Sequence, residues 1–300
     1  MSATWLAGLL IVLYVVQIEA SAVQQETKVS HINNAHRSVF PSTVALDHSE
    51  HQIGYMGIVS GVDMIASIPL PFGFVIQEPA SVLFSILNMI ATYKMVRRFL
   101  KMYELPLRNM WITYGCIGVI TWFGSSVFHM SDCDFTEKLD YLGAFTFVVA
   151  GFYVAVMFCF QNLHHPSSKK IKLGVEIVTG LLYLKHLRDM MNHFDYGYNM
   201  LTCIVYSLLT TAVYIYLVYM RQKTHGSLHE AHIILIRIVF WANLSAALEL
   251  LDFVPVFWIF DSHSLFHFAT IPIPIWWAEF LDFYYGFDTR PRYKFPMKIA

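Results

Sequence analysis

From Glu78 onward the chain alternates long apolar runs with short polar connections. Runs of about 18 or more apolar residues are long enough to cross a bilayer as helices. Seven are read, at about 80–97, 110–129, 139–160, 172–190, 199–220, 232–253 and 263–283. The fourth is the least apolar, because Lys185, His186 and Arg188 crowd its end. Upstream, an apolar core from Leu6 to Val16 precedes the small-x-small tripeptide Ala20-Ser21-Ala22, which predicts a signal peptide over 1–22. An uncleaved first membrane helix is the alternative. Residues 23–76 are polar, then weakly apolar and interrupted by Gly54, Gly57, Gly61, Pro69 and Pro71, so a short segment lying against the membrane is expected there. The domain order expected is therefore signal peptide 1–22, lumenal segment 23–76, seven-helix transmembrane domain 77–285 and basic tail 286–300.

Composition agrees. Apolar residues make up 56% and charged residues 14%, well below the quarter or so typical of soluble domains. A net charge of −1 says nothing about nucleic acid, but the lack of a basic stripe interleaved with aromatics argues against it as a partner. Cys116, Cys133, Cys159 and Cys203 show no paired spacing, which argues against both a disulfide framework and a thiolate zinc site.

Charge in the connections predicts orientation. Lys94, Arg97, Arg98, Lys101 and Arg108 cluster around the first connection. Lys169, Lys170 and Lys172 follow the third run, Arg221 and Lys223 the fifth, and Arg290, Arg292, Lys294 and Lys298 lie in the tail. The other connections hold only Lys138, Lys185 and Arg188. The positive-inside rule puts the basic set in the cytosol, the N-terminus in the lumen and the C-terminus in the cytosol.

That topology gathers chemistry at one depth. His129 ends run two, Asp140 begins run three and His263 begins run seven, all at lumenal ends. Ser125 and His129 stand four apart, as do His263 and His267, so each pair shares a helix face. Three imidazoles with one open position suit a catalytic Zn2+, which activates water and polarises a carbonyl. Asp140 is the candidate proton acceptor and Ser125 the candidate donor to the oxyanion. Each motif has a plainer reading: a lone His-x-x-x-His is weak evidence, and Ser125 could hydrogen-bond its own helix. Ionisable residues at membrane depth nevertheless mark functional sites. Asp261, Asp252 and Glu249 are further acids near the site, with Asp261 either supporting a ligand or capping a helix. His31, His36, His48 and His51 read as solvated loop residues.

The Ser-x-x-x-His, Asp and His-x-x-x-His arrangement resembles the CREST superfamily of seven-span hydrolases, which includes alkaline ceramidases and adiponectin-type receptors. Within it the chain is similar to the Per1-like family of post-GPI-attachment lipid remodelling proteins. The motifs are QEPASVLFSILN (77–88), SSVFHMSDCDFTEKLDY (125–141), FDYGYN (194–199), LELLDF (248–253) and FWIFDSHSLFHFATIP (257–272). The resemblance implies an all-α membrane protein with its metal site at the lumenal ends of spans two, three and seven. It implies residence in the endoplasmic reticulum or Golgi membrane. It also implies hydrolysis of the sn-2 acyl ester of glycosylphosphatidylinositol (GPI) anchors, with GPI-anchored proteins and their lipid as substrate. The family's metal-site positions fall on Ser125, His129, Asp140, His263 and His267. One departure stands out: the family's lumenal domain is cysteine-rich, whereas residues 23–76 contain no cysteine. The alternatives are a ceramidase-like amide hydrolase and a non-catalytic receptor or chaperone for GPI proteins.

Overall fold

The computed structural model describes residues 67–69, 75–163, 168–225, 230–251 and 253–287. The expected signal peptide, most of the 23–76 segment, Asp252 and residues 288–300 of the tail lie outside those residues. The described chain runs β1 (Ile68–Pro69), β2 (Val75–Ile76), α1 (Pro79–Lys101), α2 (Arg108–Met130), α3 (Asp134–Leu163), α4 (Ser168–Asn192), α5 (Tyr196–His225), α6 (Glu230–Glu249), α7 (Ser262–Thr270) and α8 (Pro272–Tyr284). The strands form a two-residue antiparallel ribbon, with Ile68 opposite Ile76.

Among the described residues, α1, α2, α3, α5 and α6 are long and apolar enough to cross a membrane. The fourth apolar run forms the 25-residue helix α4, but its lysines, His186 and Arg188 keep it out of that group. The seventh run, read as one helix, is two. α7 and α8 meet at Ile271, which ends one and starts the other in helical geometry. Pro272 and Pro274 explain the break, since proline has no N–H to continue the ladder and crowds the preceding turn. The chemistry-bearing turn is thus a separate nine-residue helix.

Local sequence sets the helix ends. Pro79 opens α1, where its missing N–H costs nothing, and Arg98 and Lys101 lie in the last turn, against the negative helix end. Asp134 and Glu137 occupy the first turn of α3, so the acidic stretch expected as loop is mostly helix and Asp140 lies in its second turn. Asp261 caps α7: its carboxylate accepts from the Ser264 N–H at 2.8 Å, while the Ser264 hydroxyl meets the Asp261 N–H at 3.0 Å.

One end of the bundle is locked by aromatics. Trp111 of α2 is fully buried and its ring lies 6.1 Å from Phe99, 5.7 Å from Phe158 and 5.4 Å from Trp277. These contacts join α1, α3 and α8 to α2. Close approach of α2 to its neighbours needs glycine: a Cβ on Gly118 would sit 2.8 Å from Cε2 of Phe147 and 3.1 Å from Cγ2 of Thr92. Outward, Leu201, Val205, Leu208 and Ile215 on α5 and Ile233, Ile236, Phe240 and Leu244 on α6 are exposed at helical spacing. Apolar stripes of that extent suit a lipid surface and not water.

Candidate metal centre

Helix ends bring three distant histidines to one point. His129 occupies the last turn of α2, and His263 and His267 lie one turn apart on one face of α7. Nε2 of His263 is 3.2 Å from Nε2 of His129 and 2.8 Å from Nε2 of His267. These three residues could hold a metal ion. Zinc–nitrogen bonds of 2.0–2.1 Å at tetrahedral angles place ligand nitrogens about 3.3–3.4 Å apart. The observed spacings of 3.2 and 2.8 Å are close to that edge length, and a small outward movement of His267 would meet it. The residues present therefore fit a zinc ion.

The other ring nitrogens strengthen this fit. Nδ1 of His129 meets Oε2 of Glu78 at 2.8 Å, and Nδ1 of His263 meets Oε2 of Glu249 at 2.7 Å. Nδ1 of His267 meets Oγ of Ser85 at 3.0 Å. Partial burial works to raise the Glu78 carboxyl, but the hydrogen bond and charge of His129 outweigh it and hold Glu78 below its ordinary range. Glu78 is therefore a carboxylate that only accepts, and His129 donates through Nδ1. The same donor assignment follows at His263 opposite a carboxylate. With Nδ1 so engaged, Nε2 of each ring is the atom turned towards the other two, the arrangement that oriented metal-binding histidines adopt.

Backbone geometry holds these partners in place. The Glu78 N–H donates to the His129 carbonyl at 3.1 Å, and Gln77 Oε1 accepts from the Asp132 N–H. The strand leading into α1 thereby covers the orphan carbonyl end of α2. Glu78 stands at the N-cap of α1 yet makes no side-chain cap, because its carboxylate turns to His129 instead. Asn88 donates to the His267 carbonyl at 2.7 Å, and Trp122 lies edge-on to the His267 ring at 5.4 Å. The His263 side chain is 30% exposed and that of His129 only 2%. The centre thus opens on the His263 side.

Ser125 and Asp140 are both buried at this site. Ser125 Oγ is 3.2 Å from Ser85 Oγ. Asp140 lies within electrostatic range of His129 and His263. All five site residues of the sequence reading are thus brought together. Asp261 is used as the α7 cap, and Asp252 lies outside the described residues. Glu249, one of three further acids in that reading, is the partner of His263.

Sequence reasoning missed Glu78, Ser85 and Asn88 as site residues. A signal was present. Ser81, Ser85, Asn88 and Thr92 recur at helical spacing within an apolar run, and all four are buried. A polar stripe on a membrane-length helix faces protein rather than lipid.

The sequence model of the Per1-like family matches residues 69–283. A mouse (Mus musculus) protein named "GPI-specific phospholipase A2-like PGAP3" is 32% identical over 212 residues, covering 69% of this chain and 63% of that relative. The human (Homo sapiens) protein of the same name is 30% identical over 213 residues, with the same coverage of each chain. "Protein PER1 homolog" of Schizosaccharomyces pombe is 30% identical over 223 residues, covering 72% of this chain and 63% of the relative. The chain therefore spans about 63% of the length of the curated relatives it matches. No solved structure matches it.

Proposed function

The chain belongs to the Per1-like family, and from that premise we propose that it is a membrane hydrolase that removes the sn-2 acyl chain from GPI anchors already attached to protein. The observation that carries this reading is the convergence of three imidazole Nε2 atoms, with a carboxylate or hydroxyl behind each Nδ1. The printed names of the relatives, GPI-specific phospholipase A2-like, supply the substrate class. They also favour an ester over the amide of a ceramide.

His129, His263 and His267 would hold a zinc ion, which supplies a Lewis acid and water of lowered pKa. Asp140, which is buried, would accept a proton from water near the centre. Ser125 is proposed as a neutral donor to the developing oxyanion and not as a nucleophile, because the imidazoles around it are engaged elsewhere. Glu78 and Glu249 orient two of the imidazoles and take no part in bond making.

The membrane arrangement is proposed as seven spans. α4, at 25 residues, and the α7–α8 pair, at 9 and 13 residues about Ile271, would add two crossings to the five apolar helices. Each is about 34–38 Å long at 1.5 Å per residue, enough for the hydrocarbon core. The centre then faces the lumen of the endoplasmic reticulum or Golgi.

The test uses purified full-length protein in lipid vesicles with a GPI-anchored protein labelled in its sn-2 chain. Release of labelled fatty acid, lost on His129→Ala, supports the reading. Intact substrate after incubation with zinc-replete protein would count against it.

A further inference from the structure

The apolar outer face of α6 is interrupted by a charge. Ile233, Ile236, Phe240 and Leu244 are exposed on it at helical spacing, and Arg237 stands exposed among them. On α8, Ile275 and Glu279 are exposed one turn apart on one face. Nη2 of Arg237 donates to Oε2 of Glu279 at 2.7 Å, and Cζ of Arg237 lies 4.4 Å from the centroid of the Trp276 ring. The ion pair is at the surface: its two side chains are 42% and 45% exposed. It is also set inward from the helix ends. Arg237 lies two turns into α6, about 10 Å along the axis from Glu230, its first residue. Glu279 lies one turn inward of Asp282, whose two contacts with Arg98 mark the basic rim of the bundle.

A pair so placed does not satisfy itself. A guanidinium offers five N–H donors and a carboxylate two acceptor oxygens. Among the described residues Arg237 spends one donor, on Oε2 of Glu279, and Oε1 of Glu279 accepts none. Lipid chains offer a partner to neither. Charged groups at membrane depth accordingly face protein or a water-filled cavity, yet among the described residues nothing covers this pair. A cover that carried one charge would leave the other member of the pair bare. The pair is, however, complementary to its own reverse. A twofold axis through this face sets Arg237 of each copy against Glu279 of the other and closes the four charges into one ring. The apolar residues that flank the pair, Ile236, Phe240 and Ile275, pack across the same axis.

We propose that the face of α6 and α8 centred on Arg237 and Glu279 is a docking surface for a second copy of this chain, the two ion pairs being joined across a twofold axis. This rests on the reading of α6 and α8 as membrane crossings. The candidate metal centre lies at the other end of the bundle, so association and hydrolysis can be measured separately.

The test is co-recovery of two differently tagged full-length copies, expressed together and extracted in mild detergent. Wild-type copies should be recovered together. Arg237→Glu makes the face wholly acidic and Glu279→Arg makes it wholly basic, so like charges meet and neither variant should recover its own copy. Arg237→Glu expressed with Glu279→Arg should restore recovery to the wild-type level, although the internal pair is broken in both chains. An ion pair that served only within one chain could not be repaired in this way. Melting curves show whether each variant folds. Should neither fold, Ile236→Cys with the charges intact carries the test, in a background with Ser at the exposed Cys116 and Cys133. A short bis-maleimide should join two copies in the native membrane, and its failure to do so overturns the proposal. Wild-type copies that stay apart, a folded variant that still recovers its own copy, or a mixture that stays apart each overturn it as well. So does a wild-type chain recovered with a different membrane protein on this face and not with itself. Ile275→Cys checks the membrane reading: ready labelling by a water-soluble maleimide would take α8 out of the bilayer and the proposal with it. A shielded cysteine with separate wild-type copies overturns the dimer and leaves the seven-span reading standing.

Discussion

Nε2 of His129 lies 3.2 Å from Nε2 of His263 across 134 residues of chain. Both rings turn the far nitrogen to a carboxylate, Glu78 and Glu249. A shared cation would hold the two facing Nε2 atoms together. The fold brings them together through the end of α2 and the start of α7, so the pair stands or falls with the contact of those two helix ends.

Metal removal should therefore register in stability as well as in activity. Purified protein is expected to carry a divalent ion, measurable by mass spectrometry of the elements, and to melt at a lower temperature after chelation. At a free ion concentration 100 times the dissociation constant, the bound ion contributes about 2.7 kcal/mol. His129→Ala, His263→Ala and His267→Ala should each lose the ion and the melting shift with it. A variant that keeps both is not missing a ligand.

The acids behind the ligands give a graded version of the same test. Glu249→Gln keeps size and shape but replaces a carboxylate at 2.7 Å from Nδ1 of His263. The expected result is about 10- to 100-fold weaker ion binding, with expression and apo stability close to wild type. Glu78→Gln should behave alike at His129. Competition against a chelator of known affinity measures both. Wild-type affinity in Glu249→Gln would mean that the carboxylate only packs against the ring.

Ser125, His129, His263 and His267 were legible in the chain because each pair sits four residues apart on a helix, one pair closing an apolar run and the other opening one. Glu78 and Ser85 were not. Their roles depend on which helix packs beside them, and a serine inside an apolar helix is equally at home bonding to its own backbone. Their neighbours on the α1 face, Asn88 and Thr92, carried a periodic signal that becomes meaningful only once α7 is known to lie against it. The broken seventh run had its cue in Pro272 and Pro274, but apolar length outweighed it. Glu249 was visible as one acid among several. Only the turn of chain between Glu249 and Ser262 decides that it faces His263, and no periodicity describes that turn.

Cys133 offers a test of orientation that does not involve the metal. It is an exposed free thiol in the connection between α2 and α3, at the end of the bundle that holds the centre. Hydrogen bonding by Thr136, with Sγ and Oγ1 at 3.4 Å, holds the thiol below its ordinary value. The thiolate is the reactive form, so Cys133 should label readily near neutral pH with a maleimide that cannot cross membranes. In sealed vesicles it should label only from the lumenal side. Thr136→Val removes the hydrogen bond, so the thiol pKa rises, labelling at neutral pH slows and the pH–rate curve moves to the alkaline side. Labelling from the cytosolic side would invert the proposed topology.

The division of work between Ser125 and Asp140 can be decided by trapping. Ser125 is 2% exposed, and its hydroxyl lies 3.2 Å from that of Ser85. No imidazole is free to take its proton, since all three turn Nδ1 to a partner and Nε2 to one another. A serine without such a base is a poor nucleophile but a good donor. Ser125→Ala, assayed at saturating zinc so that weaker ion binding does not enter, should leave a measurable deacylase slowed about 100- to 1000-fold, the usual cost of one oxyanion donor. Asp140→Asn removes the proposed proton acceptor, so it should be the more damaging change. It should also abolish the acidic limb of the pH–rate profile, which the ionisation of that carboxylate would set. The deciding measurement is a quench during turnover of substrate labelled in the sn-2 chain, followed by a search for label on protein. An unlabelled protein is expected, because water and not Ser125 takes the acyl group. Acyl label on Ser125 would make it the nucleophile and overturn the reading in which water attacks.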